Sequence, residues 1–412
     1  MYLFLVIVGA VFLLAAIIYA KREGLESKPA IVLIMISAAF LLPTNVIVLS
    51  NYHNPDGSYS VEQENNAFYY HIVCNSNSRY DFGYLQGQAL SQYIFNMMVV
   101  MHPWVGFIQR ESRDLISEFE KYIPQEYREE MRGIARGASN RLGIIVSYED
   151  ILLQNIFTDL VYGRQIPQDN LMGCSVVGYV SSNGVVAGQS FDFTKIMGYD
   201  NLLDTTVFVL SEFNGTSIFG LRMGGSLSIP MAKTNFYSVF INVVPSLAYN
   251  ENISTPMFVR TRMALENAQT LEEFESIMDF QSMPGSYNFM FANETLIRGY
   301  QVSPEQYHVN SSNFIVNTNR YVHEDMVESL VDPEYSLLRQ QQVELMCHEA
   351  ISNNTLTEER LLEIFEFQCE EEPEKSIYRT GTEGMDTVTI CYMSLNYFGF
   401  HNQQYSKAAI PL

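Results

Sequence analysis

The chain has little positive charge. It carries 24 lysines and arginines against 46 aspartates and glutamates, a formal net charge of −22 over 412 residues. Nucleic-acid binding requires a basic surface that neutralises phosphates, and this composition excludes one. Anionic lipid surfaces would also repel the chain, so any membrane association has to come from apolar insertion. The sequence therefore predicts no nucleic-acid partner.

Signals for a bound metal or cofactor are also missing. The sequence has no phosphate loop and no dinucleotide fingerprint, and its seven histidines fit no Cys/His signature. The cysteines include no CxxC pair and are odd in number, so any disulfide scheme leaves one thiol over. We therefore predict no cofactor and no metal site, and a free thiol as a candidate nucleophile. The five cysteines are Cys74, Cys174, Cys347, Cys369 and Cys391.

Two long uncharged runs, residues 1–20 and 30–50, begin the chain. Since roughly 20 apolar residues cross a bilayer, they predict a transmembrane hairpin over residues 1–50. The loop between the runs carries Lys21, Arg22 and Lys28, and basic loops stay cytoplasmic. The hairpin would hold everything after Ser50 on the extracellular or lumenal side of a membrane. A cleaved signal peptide or a single anchor is the alternative.

The remainder of the chain changes its pattern twice. Residues 51–67 are polar and turn-rich and are predicted to be a linker. Apolar residues then recur at helical spacing from Tyr80 to Arg141 and again over residues 147–162. From residue 174, short β-rich runs separated by glycine-containing turns dominate, and further helices and strands alternate towards the end. The pattern predicts an α+β fold, with one catalytic domain over residues 68–412.

One cysteine lies where these two patterns meet. A lone cysteine is most often a small buried apolar residue, but Cys174 follows a turn-rich stretch and begins the first strand of the β-rich half. The preceding Gly173 permits a strained backbone and lets the thiol approach the Gly173 carbonyl. Attack there would move the acyl group from nitrogen to sulfur. Hydrolysis of the resulting thioester would cut the bond between residues 173 and 174.

Such a cut would also provide a base for the thiol. A new α-amine at Cys174 would have a reference pKa of about 7.7–8.0, which suits a general base near neutral pH. The nucleophile would then carry its own base, as in other N-terminal-nucleophile arrangements. The two pieces are expected to stay associated because both halves contribute to one core.

The segment GCSVVGYVSSNGVVAGQSFDF, residues 173–193, resembles a known motif. It is similar to the nucleophile region of the acyl-CoA:6-aminopenicillanic acid acyltransferase-like (isopenicillin N acyltransferase-like) family of N-terminal-nucleophile (Ntn) hydrolases, which act on linear amides. Looser matches are YDFGYLQGQAL, YNFMFAN, VNTNRY and SLLRQQ. Departures are Ser190 and Phe191, where Asn and Trp are usual, and Arg320, where His often follows the T-N pair. The resemblance implies a four-layer αββα sandwich.

The resemblance also implies roles for particular side chains. Asp192 would orient the Cys174 α-amine, Asn288 would donate to the oxyanion, and Arg339 would hold the polar network or a substrate carboxylate. Asn319 would support these groups from further out. The ordinary alternatives are a turn acid at 192, a strand-end Asn at 288 and a surface charge at 339.

The function predicted from the sequence is a membrane-tethered cysteine Ntn hydrolase or acyltransferase. It would act on a linear amide of a small-molecule substrate through an acyl-thioester on Cys174. One alternative is a lipid-amide hydrolase of the acid-ceramidase-like or bile-acid-hydrolase-like type, which an acyl-chain-length profile would distinguish. The other is a non-catalytic surface binding domain that kept the fold, and it would show neither a cut nor a reactive Cys174.

Overall fold

The structure is a computed structural model, and it describes most of the chain after residue 52. The described residues are 53–64, 67–163, 172–194, 205–228, 230–248, 253–332, 334, 336–372, 375–378, 380–382, 385–393, 397–402 and 405–411. The predicted transmembrane hairpin, residues 1–50, lies outside them.

The membrane localisation predicted from the sequence is contradicted. Within the described ranges, no helix combines the length and the apolar character that a membrane crossing requires. This corrects the prediction of a membrane protein with its catalytic domain on the extracellular or lumenal side.

The helices of the described chain fall into two groups, before and after Cys174. Local signals set several of their ends: Ser78 caps α1, Gly143 ends α3 with φ 69°, and Thr270 and Glu273 form a capping box on α6. The bounds are α1 Arg79–Ala89, α2 Ser91–Lys121, α3 Gln125–Leu142, α4 Tyr148–Gly163, α5 Met257–Asn267, α6 Leu271–Met278, α7 Glu324–Val327, α8 Leu337–Ser352 and α9 Glu358–Phe365, with a 3₁₀ turn at Phe280–Ser282.

The first sheet has the strand order β1-β2-β5-β6-β7-β8-β9-β10-β11. All neighbours in it are antiparallel except β2 and β5, which pair in parallel. Strand β1 lies inside the segment predicted to be a linker, residues 51–67; as a half-exposed edge strand it carries polar residues that resemble a loop. The bounds are β1 Gly57–Glu64, β2 Ala67–Cys74, β5 Thr206–Phe213, β6 Thr216–Met223, β7 Met231–Lys233, β8 Ser238–Val243, β9 Tyr287–Ala292, β10 Ile297–Val302 and β11 Tyr307–Asn310.

The second sheet has the order β12-β3-β4-β14-β15-β16, with β13 paired to β14. Its central hairpin, β3 and β4, begins at the predicted cleavage point. The bounds are β3 Met172–Ser181, β4 Gly184–Thr194, β12 Phe314–Asn317, β13 Thr380–Thr382, β14 Met385–Met393, β15 Tyr397–Asn402 and β16 Tyr405–Pro411.

Alternate side chains of β3 enter two different cores. Val176 belongs to the large core that the first sheet shares with helices α1–α6, and β3 packs directly on β8 and β9. Val177, the next residue, packs with Val343 of α8 and Leu361 of α9 on the opposite face. The second sheet is therefore covered by the first sheet on one face and by helices on the other. This confirms the α+β class.

Candidate active site

The β3–β4 hairpin brings Asp192 beside the start of β3. A two-residue turn, Ser182–Asn183, joins the strands and is followed by Gly184 at φ 120°, a value that favours glycine. In the resulting register Gly173 pairs with Asp192, and Cys174 pairs with Phe191. The predicted return of Asp192 to the strand start is therefore observed. Gly173 is in extended backbone, so the strain that this glycine was expected to permit is not found there.

Arg339 and Asn319 converge on the backbone of Cys174. The Cys174 N–H donates to Asn319 Oδ1 at 2.7 Å, and Asn319 Nδ2 donates to the Val243 carbonyl at 2.9 Å. Arg339, in the first turn of α8, donates from Nη2 to Asn319 Oδ1 at 2.6 Å and to the Cys174 carbonyl at 3.3 Å. Both side chains are buried. The two peptide groups of Cys174 are thus held by residues 145 and 165 positions away.

Asp192 is fully buried and lies between two partners. The Thr387 hydroxyl donates to Asp192 Oδ1 at 2.8 Å, and Arg339 Nη1 lies 3.6 Å from Oδ2. Thr387 pairs with Asp192 across β14 and β4, at the point where the register shifts by one residue. A bulge of this kind re-aims side chains and is common beside active sites. Arg339 therefore links the carboxylate to the Cys174 backbone.

The Cys174 thiol is almost completely buried and is poorly ionised. Burial and the Asp192 carboxylate raise the pKa of this thiol to about 12, against the opposing effects of a hydrogen bond from Gln189 and of Arg339. At neutral pH this thiol is therefore protonated, and a thiol is a weak nucleophile without a base. The predicted nucleophile is therefore one that requires activation.

Gln189 connects the thiol to the other sheet. Its Nε2 donates to the Ile241 carbonyl at 2.8 Å, and the Ile241 N–H donates to its Oε1 at 3.2 Å. The side chain is fully buried between β4 and β8. Because both ends of the amide are used, its orientation beside Cys174 is fixed.

Asn288 is placed one layer away, in β9. Its Nδ2 donates to the carbonyls of Thr318 and Arg320 at 2.9 and 2.8 Å. Both amide hydrogens are therefore engaged, and they hold the segment that carries Asn319. The predicted role of Asn288 as an oxyanion donor stays a prediction.

The sequence underrated or missed three of these residues. Asn319, predicted to act from further out, contacts the Cys174 backbone directly. Gln189 lies within the motif of residues 173–193, two residues before Phe191. That spacing places both side chains on the same face of β4, so the sequence could have indicated Gln189 as a neighbour of Cys174. Thr387 is 195 residues from Asp192, and no local pattern marks it.

No family model matches the chain, but it is similar to known proteins, two of which are described here. The acyl-coenzyme A:6-aminopenicillanic-acid-acyltransferase 40 kDa form of Emericella nidulans is 25% identical over 244 residues, which are 57% of this chain and 63% of that protein. An uncharacterized protein of Archaeoglobus fulgidus is 40% identical over 88 residues, 18% of this chain and 14% of the other. The chain thus covers less than two thirds of either relative. The similarity to the acyltransferase confirms the family resemblance predicted from residues 173–193.

Proposed function

We propose that this chain is a cysteine amide hydrolase or acyltransferase of the Ntn type, with Cys174 as its nucleophile. The observation that carries the proposal is that Asn319 and Arg339 bind the backbone of Cys174 while Asp192 lies against Arg339. Asn319 and Arg339 lie 145 and 165 positions from Cys174 and are buried beside it together with Asp192. Burying polar and charged side chains costs free energy, and such groups cluster at functional sites. Similarity to an acyltransferase supports the same chemistry.

The first step of this proposal is cleavage of the Gly173–Cys174 bond. The Cys174 thiol attacks the Gly173 carbonyl, the peptide nitrogen takes up the thiol proton and leaves as an amine, and water hydrolyses the thioester. The nitrogen released is the one that Asn319 Oδ1 already accepts from at 2.7 Å. An α-amine formed there is held in place by Asn319, and the Asp192 carboxylate stabilises its protonated form.

The catalytic cycle then uses this amine as its base. The amine takes the thiol proton, and the thiolate attacks the carbonyl carbon of an amide substrate. The tetrahedral intermediate collapses when the ammonium returns the proton to the leaving nitrogen, which leaves the acyl group on Cys174 as a thioester. Water or an acceptor amine, deprotonated by the same α-amine, then releases the acyl group.

Asn288 has a proposed role in stabilising the intermediate. An oxyanion requires fixed donors, and Asn288 Nδ2 is such a donor if it gives up one of its two carbonyl partners. Cleavage beside Asn319 is the event that would shift the segment holding those carbonyls.

Intact-mass analysis of the purified chain tests the cleavage. We expect two associated pieces, and N-terminal sequencing of the second should give Cys-Ser-Val-Val-Gly. Cys174→Ala should abolish the cut and the activity, and Cys174→Ser should cut slowly because a hydroxyl is the weaker nucleophile. Cys369→Ala is the matched control, since this half-buried thiol lies beyond α9, and it should cut as the wild type does. An active, uniformly uncut preparation would overturn the mechanism.

Turnover tests separate transfer from hydrolysis. Acyl-coenzyme A with 6-aminopenicillanic acid, the reactants in the acyltransferase's name, provides an acyl donor and an amine acceptor. A panel of acyl p-nitroanilides of increasing chain length provides the hydrolysis arm. A cut protein whose Cys174 becomes acylated by neither set would favour a binding domain that kept the fold.

A further inference from the structure

A second buried polar cluster lies among the helices that cover the first sheet. It consists of Arg79 of α1, Tyr127 and Glu130 of α3, and Arg262 and Glu266 of α5, and is called here the Glu266 cluster. The side chains of Glu130, Arg262 and Glu266 are 0%, 1% and 7% exposed. It takes no part in the site around Cys174.

Glu266 receives hydrogen bonds from both sides of the cluster. Arg79 donates to it in bidentate fashion, from Nη1 to Oε1 at 2.7 Å and from Nη2 to Oε2 at 2.6 Å. The Tyr127 hydroxyl donates to Oε2 at 2.7 Å, and Arg262 Nε donates to Oε1 at 2.6 Å. Both oxygens are therefore fully used, in the geometry that gives the strongest charge-assisted bonds.

Glu130 contacts the same two arginines as Glu266. Its carboxylate accepts from Arg79 Nη1 at 3.1 Å and from Gln86 Nε2 at 2.7 Å, and it lies 3.4 Å from Arg262 Nη2. The α1 and α3 backbones approach closely here, because a Cβ on Gly83 would lie 2.0 Å from the Glu130 carbonyl oxygen. The two carboxylates and two guanidiniums are thus fixed by tight helix packing.

The arginines of the cluster stabilise the ionised form of Glu266. Burial raises the pKa of Glu266, but Arg262 and Arg79 outweigh it and hold that pKa well below its usual range. Burial lowers the pKa of the neighbouring Arg222, and Arg262 lowers that pKa further. Removing one carboxylate would therefore leave buried guanidiniums without compensation, which is the most destabilising way to disturb a buried ion pair.

The Glu266 cluster joins residues from both sides of the predicted cleavage point. Arg79, Tyr127 and Glu130 precede Gly173, whereas Arg262 and Glu266 follow Cys174. We propose that the Glu266 cluster is the clamp that keeps the piece before Gly173 bound to the piece after it once the bond is cut. This inference rests on the proposed function, because self-cleavage is the event that would create the two pieces. The charge-dependent contact between them would be the same whichever agent cuts the chain.

The two pieces also share an apolar core, so loss of the clamp need not separate them completely. The quantity to measure is the rate at which the first piece dissociates, because interface substitutions act mainly on dissociation rates. Loss of one partner of a buried pair should speed the release of the first piece roughly a hundredfold or more.

The experiment uses the full chain with Cys174→Ala and a protease site inserted between residues 163 and 172. Added protease then cuts the chain whether or not it cuts itself. The second piece is immobilised, and release of the first is followed in mild urea. Glu266→Gln removes the charge with little change of shape, and Glu272→Gln, an exposed neighbour on α6, is the matched control.

We expect Glu266→Gln to release the first piece roughly a hundredfold faster than the control variant. Arg79→Gln should act similarly, and the double variant should be little worse than either single one, because both remove the same contact. Equal release from Glu266→Gln and Glu272→Gln, or effects of the two variants that simply multiply, would refute the clamp. So would a Glu266→Gln chain that fails to fold before any cut, if Arg79→Gln folds and releases normally. Failure of self-cleavage is seen separately, by intact mass of the chain that retains Cys174.

Discussion

Replacing Asp192 by Asn removes one charge from the centre of the proposed site. From the sequence alone this change should leave stability nearly unaltered, because the two side chains are almost isosteric. The structure alters that expectation. Asp192 and Arg339 are both completely buried and 3.6 Å apart, so the substitution leaves a buried guanidinium without its carboxylate.

The size of the effect follows from the remaining contacts of Arg339. Breaking a buried ion pair on one side typically costs about 3–5 kcal/mol. Arg339 keeps its hydrogen bonds to Asn319 and to the Cys174 carbonyl, and the amide oxygen that the substitution introduces can still accept from Thr387. The lower end of that range, about 3 kcal/mol, therefore applies. Adding Arg339→Gln removes the stranded charge, so the double variant should be less destabilised than the sum of the single ones.

Urea unfolding measures these differences. The Cys174→Ala background keeps every chain uncut, and Asp325→Asn, at a side chain 74% exposed, is the control. We expect the control to change the free energy of unfolding by less than about 0.5 kcal/mol. An equally small effect of Asp192→Asn, or strict additivity with Arg339→Gln, would refute the argument that these charges are coupled. With Cys174 restored, near-normal turnover of Asp192→Asn would remove Asp192 from the mechanism.

Three further predictions concern the groups around this pair. Thr387→Val should lower turnover, because it removes a hydrogen bond of roughly 1.5–3 kcal/mol to the buried Asp192 carboxylate. Thr387→Ser keeps the hydroxyl and should keep turnover near that of the wild type, so equal turnover in the two variants would contradict this role. Asn319→Ala should slow the cut, followed by gel, because the Cys174 N–H and Arg339 both lose their acceptor; an unchanged rate would exclude Asn319. In a partly cut sample, iodoacetamide should label Cys174 of the uncut chain slowly at about pH 9 and faster only as the pH rises towards the thiol pKa of about 12. The piece that begins at Cys174 should already react near pH 8, because its α-amine can act as the base. Equal labelling of the two forms would refute an activating α-amine.

The local part of the site was accessible from the sequence. Cys174 and Asp192 lie on one hairpin, whose alternation and turn residues determine the register that pairs Gly173 with Asp192. The helices before Cys174 and the strands after it were predicted for the same reason, since each is encoded by a short periodic pattern. The edge strand β1 was missed because its exposed, polar residues resemble a linker, and the parallel pairing of β2 with β5 joins segments that no turn connects.

By itself the sequence determined the hairpin that carries Cys174 and Asp192, because its register depends on neighbours along the chain. The tertiary structure decided how distant groups meet around Cys174: Arg339 lies against Asp192, Thr387 binds the other carboxylate oxygen, and Asn319 accepts from the Cys174 nitrogen. It also decided that Glu266 joins the two halves of the chain. These contacts join residues more than a hundred positions apart, and such pairs are fixed by the packing of sheets and helices, which no local period encodes.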